Sequence, residues 1–152
     1  MSEWLVELGY FGAFIAPLIG VFTYYLLPWP IIIFALGNII DPLLVALIGA
    51  LGATLGEFLY YFIGGGISKI LPEKLNTYVN KGKIYLEKYG PVAIFIFALL
   101  PLPDEVIWIP IGILNYDKRK AFISCWLGKF ILIALIAFAG HYGIQYIRDF
   151  IT

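Results

Sequence analysis

The sequence predicts an all-α integral membrane protein in which two re-entrant helical hairpins, each followed by a transmembrane helix, form an inverted repeat. Hydrophobic residues make up 62% of the chain and charged residues 13%, against about 45–50% and about 25% in soluble domains. The positions of the prolines and of the basic residues supply the rest of this prediction. The net charge of +0 gives no basic footprint for nucleic acid, so we expect no such partner.

Two apolar stretches predict complete membrane spans. Residues 42–65 and 121–147 are long, apolar and without an internal proline. About 20 helical residues are needed to cross a hydrocarbon core of roughly 30 Å. We therefore expect a transmembrane helix in each stretch.

Two further apolar stretches, 9–40 and 91–114, are each interrupted by a Pro-x-Pro sequence. The prolines are Pro28, Pro30, Pro101 and Pro103. Proline lacks the backbone N–H and clashes with the preceding turn, so we expect each pair to end a helix. In 91–114 the break leaves arms of about ten and nine residues, each roughly 15 Å long. The stretch is either one kinked span or a hairpin that enters and leaves on the same side.

The distribution of charge favours the hairpin. The connection 66–90 carries five lysines against two glutamates, and the connection 115–120 carries three basic residues against one aspartate. Short basic loops stay in the cytoplasm, and a re-entrant second hairpin places both of them there. Residues 1–8 are acidic, so both ends of the first hairpin can lie outside. The first arm, 9–27, is long enough to span alone, which leaves a single crossing there as an alternative.

Matching short sequences recur in the same order along the chain. The pairs are "LLPWP" (26–30) and "LLPLP" (99–103), "LGEF" (55–58) and "LGKF" (127–130), and "FIGGG" (62–66) and "FAGHYG" (138–143). They divide a single domain, 1–152, into a first half of about 1–65, a basic linker 66–90 and a second half of about 91–152. Halves that enter from opposite sides form the inverted repeat of many transporters, with hairpin tips near the midplane.

These motifs carry a resemblance to a known family. Proline-bearing hairpins followed by a glycine-rich helix of the type "GATLGEFLYYFIGG" resemble the DedA/VTT superfamily of membrane proteins, and the similarity covers about residues 9–145. The resemblance implies movement of lipids across bilayers, including polyprenyl-phosphate carriers and phospholipids, and proton-linked tolerance phenotypes. The composition alone does not indicate these activities.

The sequence also departs from that family. Members commonly carry an acidic residue in the first hairpin and arginines around the second. Here the first tip, "LLPWPIIIF", is uncharged, and the second carries Asp104 and Glu105 without an arginine. The nearest counterpart of a phosphate-binding arginine is Arg119, which lies beyond the hairpin. A resemblance to small multidrug exporters therefore stays open as an alternative.

Glu57 and Lys129 are the first candidates for transport or proton coupling. They occupy matched places in "LGEF" and "LGKF", each within a predicted span, where a lone charge costs at least ~2.5–3.5 kcal/mol. A pseudo-two-fold axis would bring them together as a proton-sensitive pair at a substrate cavity or as a structural lock between the halves. Alternatively, Lys129 extends its ammonium toward the cytoplasmic surface.

Asp104 and Glu105 follow the second hairpin tip and are the second pair of candidates. Asp104 is well placed to cap the helix that follows. Adjacent carboxylates in a poorly solvated place repel, so one of them can exchange protons near neutrality. We therefore expect Asp104 to act as a cap and Glu105 to bind protons or substrate.

The remaining polar residues predict surface and structural roles. Lys118, Arg119 and Lys120 are candidate headgroup ligands, and 74–90 suits either an amphipathic helix on an anionic leaflet or a solvated loop. We expect His141 and Cys125 to be structural. One histidine and one cysteine give no metal or catalytic set, so we expect no enzyme activity, metal or cofactor.

The leading functional hypothesis is a lipid flippase or scramblase. Its partners would be membrane lipids with anionic headgroups, because the inner loops are basic, together with protons and a second copy of the chain in a homodimer. A proton-coupled exporter of small cationic compounds, with Glu57, Asp104 and Glu105 as its acids, is the second hypothesis. A membrane scaffold without transport is the third.

Overall fold

The computed structural model describes residues 3–23, 28–100 and 105–151, with the side chains of 3–5, 76, 105–106, 145 and 147–151 outside the description. The described residues form α-helices joined by short connections. The helices are α1 (Glu3–Gly20), α2 (Trp29–Ile39), α3 (Pro42–Ser68), α4 (Asn76–Leu99), α5 (Glu105–Ile113) and α6 (Lys118–Ile151), with a 3-10 turn at Glu73–Leu75 before α4.

The two long helices α3 and α6 match the two predicted spans. Within the described residues, Pro42–Ser68 and Lys118–Ile144 are long and apolar enough to cross a membrane. Each begins at an aspartate cap. The Asp41 carboxylate accepts hydrogen bonds from the N–H groups of Leu43 and Leu44 at 2.9 and 3.0 Å. Asp117 accepts one from the N–H of Lys120 at 2.9 Å, so both caps satisfy otherwise unpaired helix donors.

The first proline pair begins a helix, and the prediction that it ends one was wrong. The helix before it, α1, already ends at Gly20. Pro28 lies at the N-cap of α2 and Pro30 in its first turn, where the missing proline N–H costs nothing because such donors have no helical partner. The Trp29 ring packs directly on Gly20, leaving no room for a Cβ atom there.

The second hairpin has one long arm, and the prediction of a separate arm of about ten residues was wrong. Residues 76–90 are helical and continue through Pro91 to Leu99 as one helix of 24 residues. A proline in a helix deprives the carbonyl four residues earlier of its donor, and here that residue is the exposed Glu87, where solvent can replace it. The helical alternative for 74–90 is thus confirmed from Asn76 onward. The other arm, α5, has 9 residues, as expected.

The long helices lie at the centre of the packing. Helix α3 packs on α1, α5 and α6, and α6 packs on α2, α3 and α4. Helices α2 and α5 therefore pack against the long helix of the other half of the sequence, whereas α1 and α4 pack against the long helix of their own half. Helices α1 and α2 also pack on each other, whereas within the described residues α4 and α5 hardly touch.

Glycines bring α2 and α6 into close contact. A Cβ atom at Gly37 would collide with the backbone of Ala137, and one at Gly140 would collide with the backbone of Phe34. Small residues allow helix backbones to approach in this way inside membranes.

The contact between α5 and α3 is built in the same manner. A Cβ atom at Gly64 would collide with the backbone of Ile109, and one at Gly112 with that of Tyr61. The glycines that the repeat aligns thus serve matching helix crossings.

Candidate functional site

Glu57 and Lys129 meet where α3 packs on α6. The Lys129 ammonium lies 2.7 Å from Oε1 of Glu57, and the two residues are 4% and 0% exposed respectively. The predicted pairing is therefore confirmed, and the alternative in which Lys129 reaches the surface was wrong. Each residue lies near the middle of its apolar helix. Their role in transport stays a prediction.

Cys125 also contacts the Glu57 carboxylate. Its thiol donates to Oε2 of Glu57 at 2.8 Å, so both carboxylate oxygens have a partner on α6. Cys125 lies one turn before Lys129 on the same face of that helix, and the Thr54 hydroxyl lies beside the thiol. The structural role expected for Cys125 is compatible with this contact, but the contact itself was not predicted. The spacing of four residues between Cys125 and Lys129 was the available signal.

Burial makes this pair expensive to disturb. Two charges taken out of water are tolerated only when they are close and fully hydrogen-bonded, and removing one partner of such a pair costs about 3–5 kcal/mol. The motifs around the pair explain how it is enclosed. A Cβ atom at Gly56 would press on the backbone of Leu18 in α1, and one at Gly128 on the backbone of Phe95 in α4. The glycine before each charge therefore holds a neighbouring helix close.

The basic residues at the start of α6 line two different clefts. Lys118 and Arg119 border a cleft of about 330 Å³ whose other walls are Phe58, Phe122 and Ile123. The Lys118 ammonium also lies 5.4 Å from the centre of the Phe62 ring, within cation–π range. Lys120 faces a second, more polar cleft toward α4. The three candidate headgroup ligands are thus divided between two surfaces.

The connection before α6 carries two groups with shifted pKa values. The Lys120 N–H bond holds the pKa of Asp117 below its ordinary value, helped by the Arg119 N–H and the neighbouring positive charges against a smaller effect of desolvation. Burial raises the pKa of Tyr116, and the Asp117 carboxylate adds to that effect. Asp117 is consequently ionised at neutral pH and Tyr116 is not.

Side chains of the long helices also bind the ends of the short ones. Nδ1 of His141 on α6 lies 3.2 Å from the carbonyl oxygen of Gly37 in the last turn of α2. The Tyr61 hydroxyl on α3 donates to the carbonyl of Tyr116, just beyond α5, at 2.7 Å. Carbonyls at helix ends need such partners, so the structural role expected for His141 is confirmed. The matching role of Tyr61 was not predicted.

The side chains of the two acids that follow the second proline pair lie outside the description. Asp104, Pro101 and Pro103 lie outside the described residues, and Glu105 begins α5 with its side chain outside the description. The expected division between a capping Asp104 and a proton-binding Glu105 therefore stays a prediction. In the described part of the chain no group of three or more His, Cys, Asp or Glu side chains is placed to hold a metal ion.

Comparison with known proteins gives the chain a family. A model of the VTT domain matches residues 27–142, a range that contains the ion pair and both basic clefts. An uncharacterised protein of Methanocaldococcus jannaschii is 30% identical over 139 residues, which is 86% of this chain and 85% of that protein. No solved structure matches the chain. The chain belongs to the VTT domain family, whose members are membrane-associated.

Proposed function

We propose that this protein moves lipids across the bilayer as a flippase or scramblase. The observation that carries the proposal is the cleft in which Lys118 and Arg119 lie beside Phe58, Phe122 and Ile123. Two cations at the edge of an apolar surface match an anionic headgroup attached to a hydrocarbon chain. Among the described residues no carboxylate lines this cleft, so an anionic headgroup meets no repulsion from these walls.

Two walls of the cleft come from helix segments next to the buried ion pair. Phe58 follows Glu57 in the sequence, and Phe122 lies about one turn before Cys125 on α6. Ionisable residues near the middle of a membrane helix often mark the path of a substrate or an ion. In the proposal, separation of α3 from α6 at Glu57 and Lys129 opens a polar route for the headgroup, while its chains stay in the surrounding lipid.

The packing supports an inverted repeat of two re-entrant hairpins. The main helix contacts occur in matching pairs when α1, α2 and α3 are aligned with α4, α5 and α6. The contact of α1 with α3 matches that of α4 with α6, and the contact of α2 with α6 matches that of α5 with α3. The capping aspartates and the glycine crossings obey the same exchange. Opposite insertion of the halves, with both basic connections in the cytoplasm, agrees with this symmetry and with the charge rule.

An exporter of small cations is less well supported. Of the three acids assigned to that function, Glu57 already contacts Lys129 and Cys125. A cation bound at Glu57 would therefore have to displace an ammonium group that belongs to the protein.

Reconstitution into liposomes tests the proposal. A fluorescent anionic phospholipid, bleached from outside with dithionite, should become accessible from both leaflets without any ion gradient. The double variant Lys118→Glu, Arg119→Glu should slow this movement at least about tenfold, since each basic residue near a membrane surface contributes about 1 kcal/mol. The matched control is Lys74→Glu, Lys81→Glu, which reverses two exposed lysines of the linker and should leave the rate unchanged.

Two other results of this assay would contradict the proposal. Flux of a cationic dye that requires a proton gradient, without lipid movement, would identify the exporter. Folded protein that moves neither lipid nor dye would identify the scaffold.

A further inference from the structure

A groove separates the two arms of the second hairpin. Helix α4 packs on α6 and α5 packs on α3, but α4 and α5 hardly touch each other within the described residues. The resulting groove has a volume of about 370 Å³ and only apolar walls. Its lining residues include Ala93, Ile94 and Phe97 from α4 and Ile107 and Ile111 from α5.

The groove has the length and depth of a binding site for one hydrocarbon chain. It runs from Phe97 and Ile107 near the hairpin tip to Leu86 and Leu114 at its base. The twelve residues from Leu86 to Phe97 are separated by eleven helical rises, about 16 Å, which is close to half of a roughly 30 Å hydrocarbon core. Ile94 and Ile111 belong to the buried core of the second half, so the floor is already packed.

A polar cleft adjoins the base of the groove. It has a volume of about 490 Å³ and shares Leu86 with the groove. Its charged walls combine two cations with two carboxylates: Lys83, Lys120, Glu87 and Asp117. Within the described part of the chain, these four side chains form no ion pair with one another. Asp117 also caps α6 through the Lys120 N–H, whereas Lys83, Lys120 and Glu87 keep their charges available to a ligand that carries both signs.

Tyr116 adds a second polar feature to this cleft. The residue lines the cleft, is 7% exposed and has a hydroxyl with no hydrogen-bond partner among the described residues. Buried hydroxyls are seldom left unpaired. This hydroxyl is itself buried and lies beside Gly90 of α4, so the cleft's ability to bind a ligand rests on the four charged side chains.

We infer that the groove and cleft together bind a zwitterionic phospholipid, with one acyl chain between α4 and α5 and a headgroup bearing a phosphate and an ammonium group in the cleft. Lys83 and Lys120 face the phosphate, and Glu87 and Asp117 face the ammonium. The inference takes from the proposed function only that the chain lies in a bilayer, because binding here requires no transport.

The two clefts at the start of α6 therefore select different headgroups. The cleft of Lys118 and Arg119 has cations without carboxylates, whereas the cleft of Lys83 and Lys120 has both. A purely anionic headgroup in the second cleft would meet Glu87 and Asp117.

Lipid retention by the purified protein tests this inference. The detergent-solubilised full chain is exchanged into mixtures of phosphatidylethanolamine and phosphatidylglycerol, and retained lipids are counted by native mass spectrometry. We expect one phosphatidylethanolamine to be retained about fivefold better than phosphatidylglycerol at this site, the size of effect that one partly exposed charge contact gives. Ala93→Trp should abolish its retention by filling the groove. Ala35→Trp, at an exposed position of α2, should have no effect.

A charge variant keeps the test decisive if Ala93→Trp fails to fold. Glu87 is exposed, so Glu87→Lys should fold normally and reverse the preference toward phosphatidylglycerol. An unaltered preference in Glu87→Lys, a preference of the wild type for phosphatidylglycerol, or equal loss in Ala35→Trp would overturn the inference. None of these readouts depends on flux, so failure of the transport assay leaves them intact.

Discussion

The helix pairs α1–α2 and α4–α5 occupy matching places along the chain but differ in how their members pack. Helices α1 and α2 contact each other, whereas α4 and α5 stand apart around a groove. Glycines in α1 account for part of this difference. The side chains of Leu36 and Ile40 lie against Gly9, and Leu36 also lies near Gly12.

The glycines of α4 meet a different set of side chains. Gly82 is contacted by the side chain of Leu114, and Gly90 by the ring of Tyr116. Both of these side chains follow α5, so they hold the base of the second hairpin without closing its middle. Features common to the halves thus build the fold, and the features found in one half only mark where binding can differ.

Breaking the ion pair between the halves should have the largest effect. Glu57→Gln or Lys129→Met each leaves a buried charge without its partner, so each should lower the free energy of unfolding by about 3–5 kcal/mol. The exchange Glu57→Lys, Lys129→Glu should recover part of that loss. Thermal unfolding in detergent of the wild type, the two single variants and the double variant Glu57→Gln, Lys129→Met gives the coupling energy. A value well under ~0.5 kcal/mol would show that the two residues are independent.

Substitution of the glycines at the helix crossings should cause the next largest loss of stability, and the loss should be equal in the two halves. Gly37→Ala and Gly112→Ala each force a methyl group into a neighbouring backbone, which should cost about 1–3 kcal/mol. Gly66→Ala is the control, because nothing lies within 4 Å of its Cβ position, and it should be neutral or slightly stabilising. Unfolding midpoints would separate these cases. A strong effect at only one crossing would show that the halves are not equivalent there.

The side-chain hydrogen bonds near the ends of the short helices should contribute less to the free energy of unfolding. Tyr61→Phe leaves the Tyr116 carbonyl without its donor and should cost about 1 kcal/mol. Tyr78→Phe removes a hydroxyl from an exposed residue of α4 and should change nothing. Equal unfolding temperatures for the two variants would mean that the bond at α5 is not stabilising.

The cap of α6 should give the smallest effect, visible mainly in acid. Because the folded state lowers the pKa of Asp117, the ionised carboxylate stabilises the fold at any pH above its ordinary value near 4. That stability should be lost as the pH falls from there through the lower folded-state pKa. Asp117→Asn keeps a capping side chain and should remove this acid-dependent part of the unfolding curve. An unchanged pH profile in that variant would assign the acid sensitivity to other groups.

Sequence reasoning recovered the parts of the fold that depend on long apolar runs and on repeated motifs. Both long helices and the meeting of Glu57 with Lys129 follow from length, polarity and the alignment of "LGEF" with "LGKF". The effects of the prolines were harder to predict. Proline is unfavourable inside a helix but suitable at its start, and in the structure Pro28 lies at the start of α2 whereas Pro91 lies inside α4.

The side-chain contacts between the halves could not be predicted from local sequence patterns. Cys125 and Tyr61 look like ordinary apolar-helix residues in the sequence. Their roles become visible only when α3 and α6 are placed together, since their partners are 68 and 55 residues away. The groove between α4 and α5 exists because these two helices do not pack on each other. The periodicity of apolar residues in the sequence cannot indicate the absence of such a contact.

Labelling of single cysteines from each side of the membrane tests the central claim that the halves are inserted in opposite orientations. Lys83→Cys and Lys120→Cys would be made separately in a Cys125→Ser background, where the serine hydroxyl can still donate to Glu57. Both positions are exposed at the polar cleft. We expect an impermeant maleimide to reach both only from the cytoplasmic face. Labelling of the two positions from opposite faces would make 91–114 a single crossing and would contradict the inverted repeat.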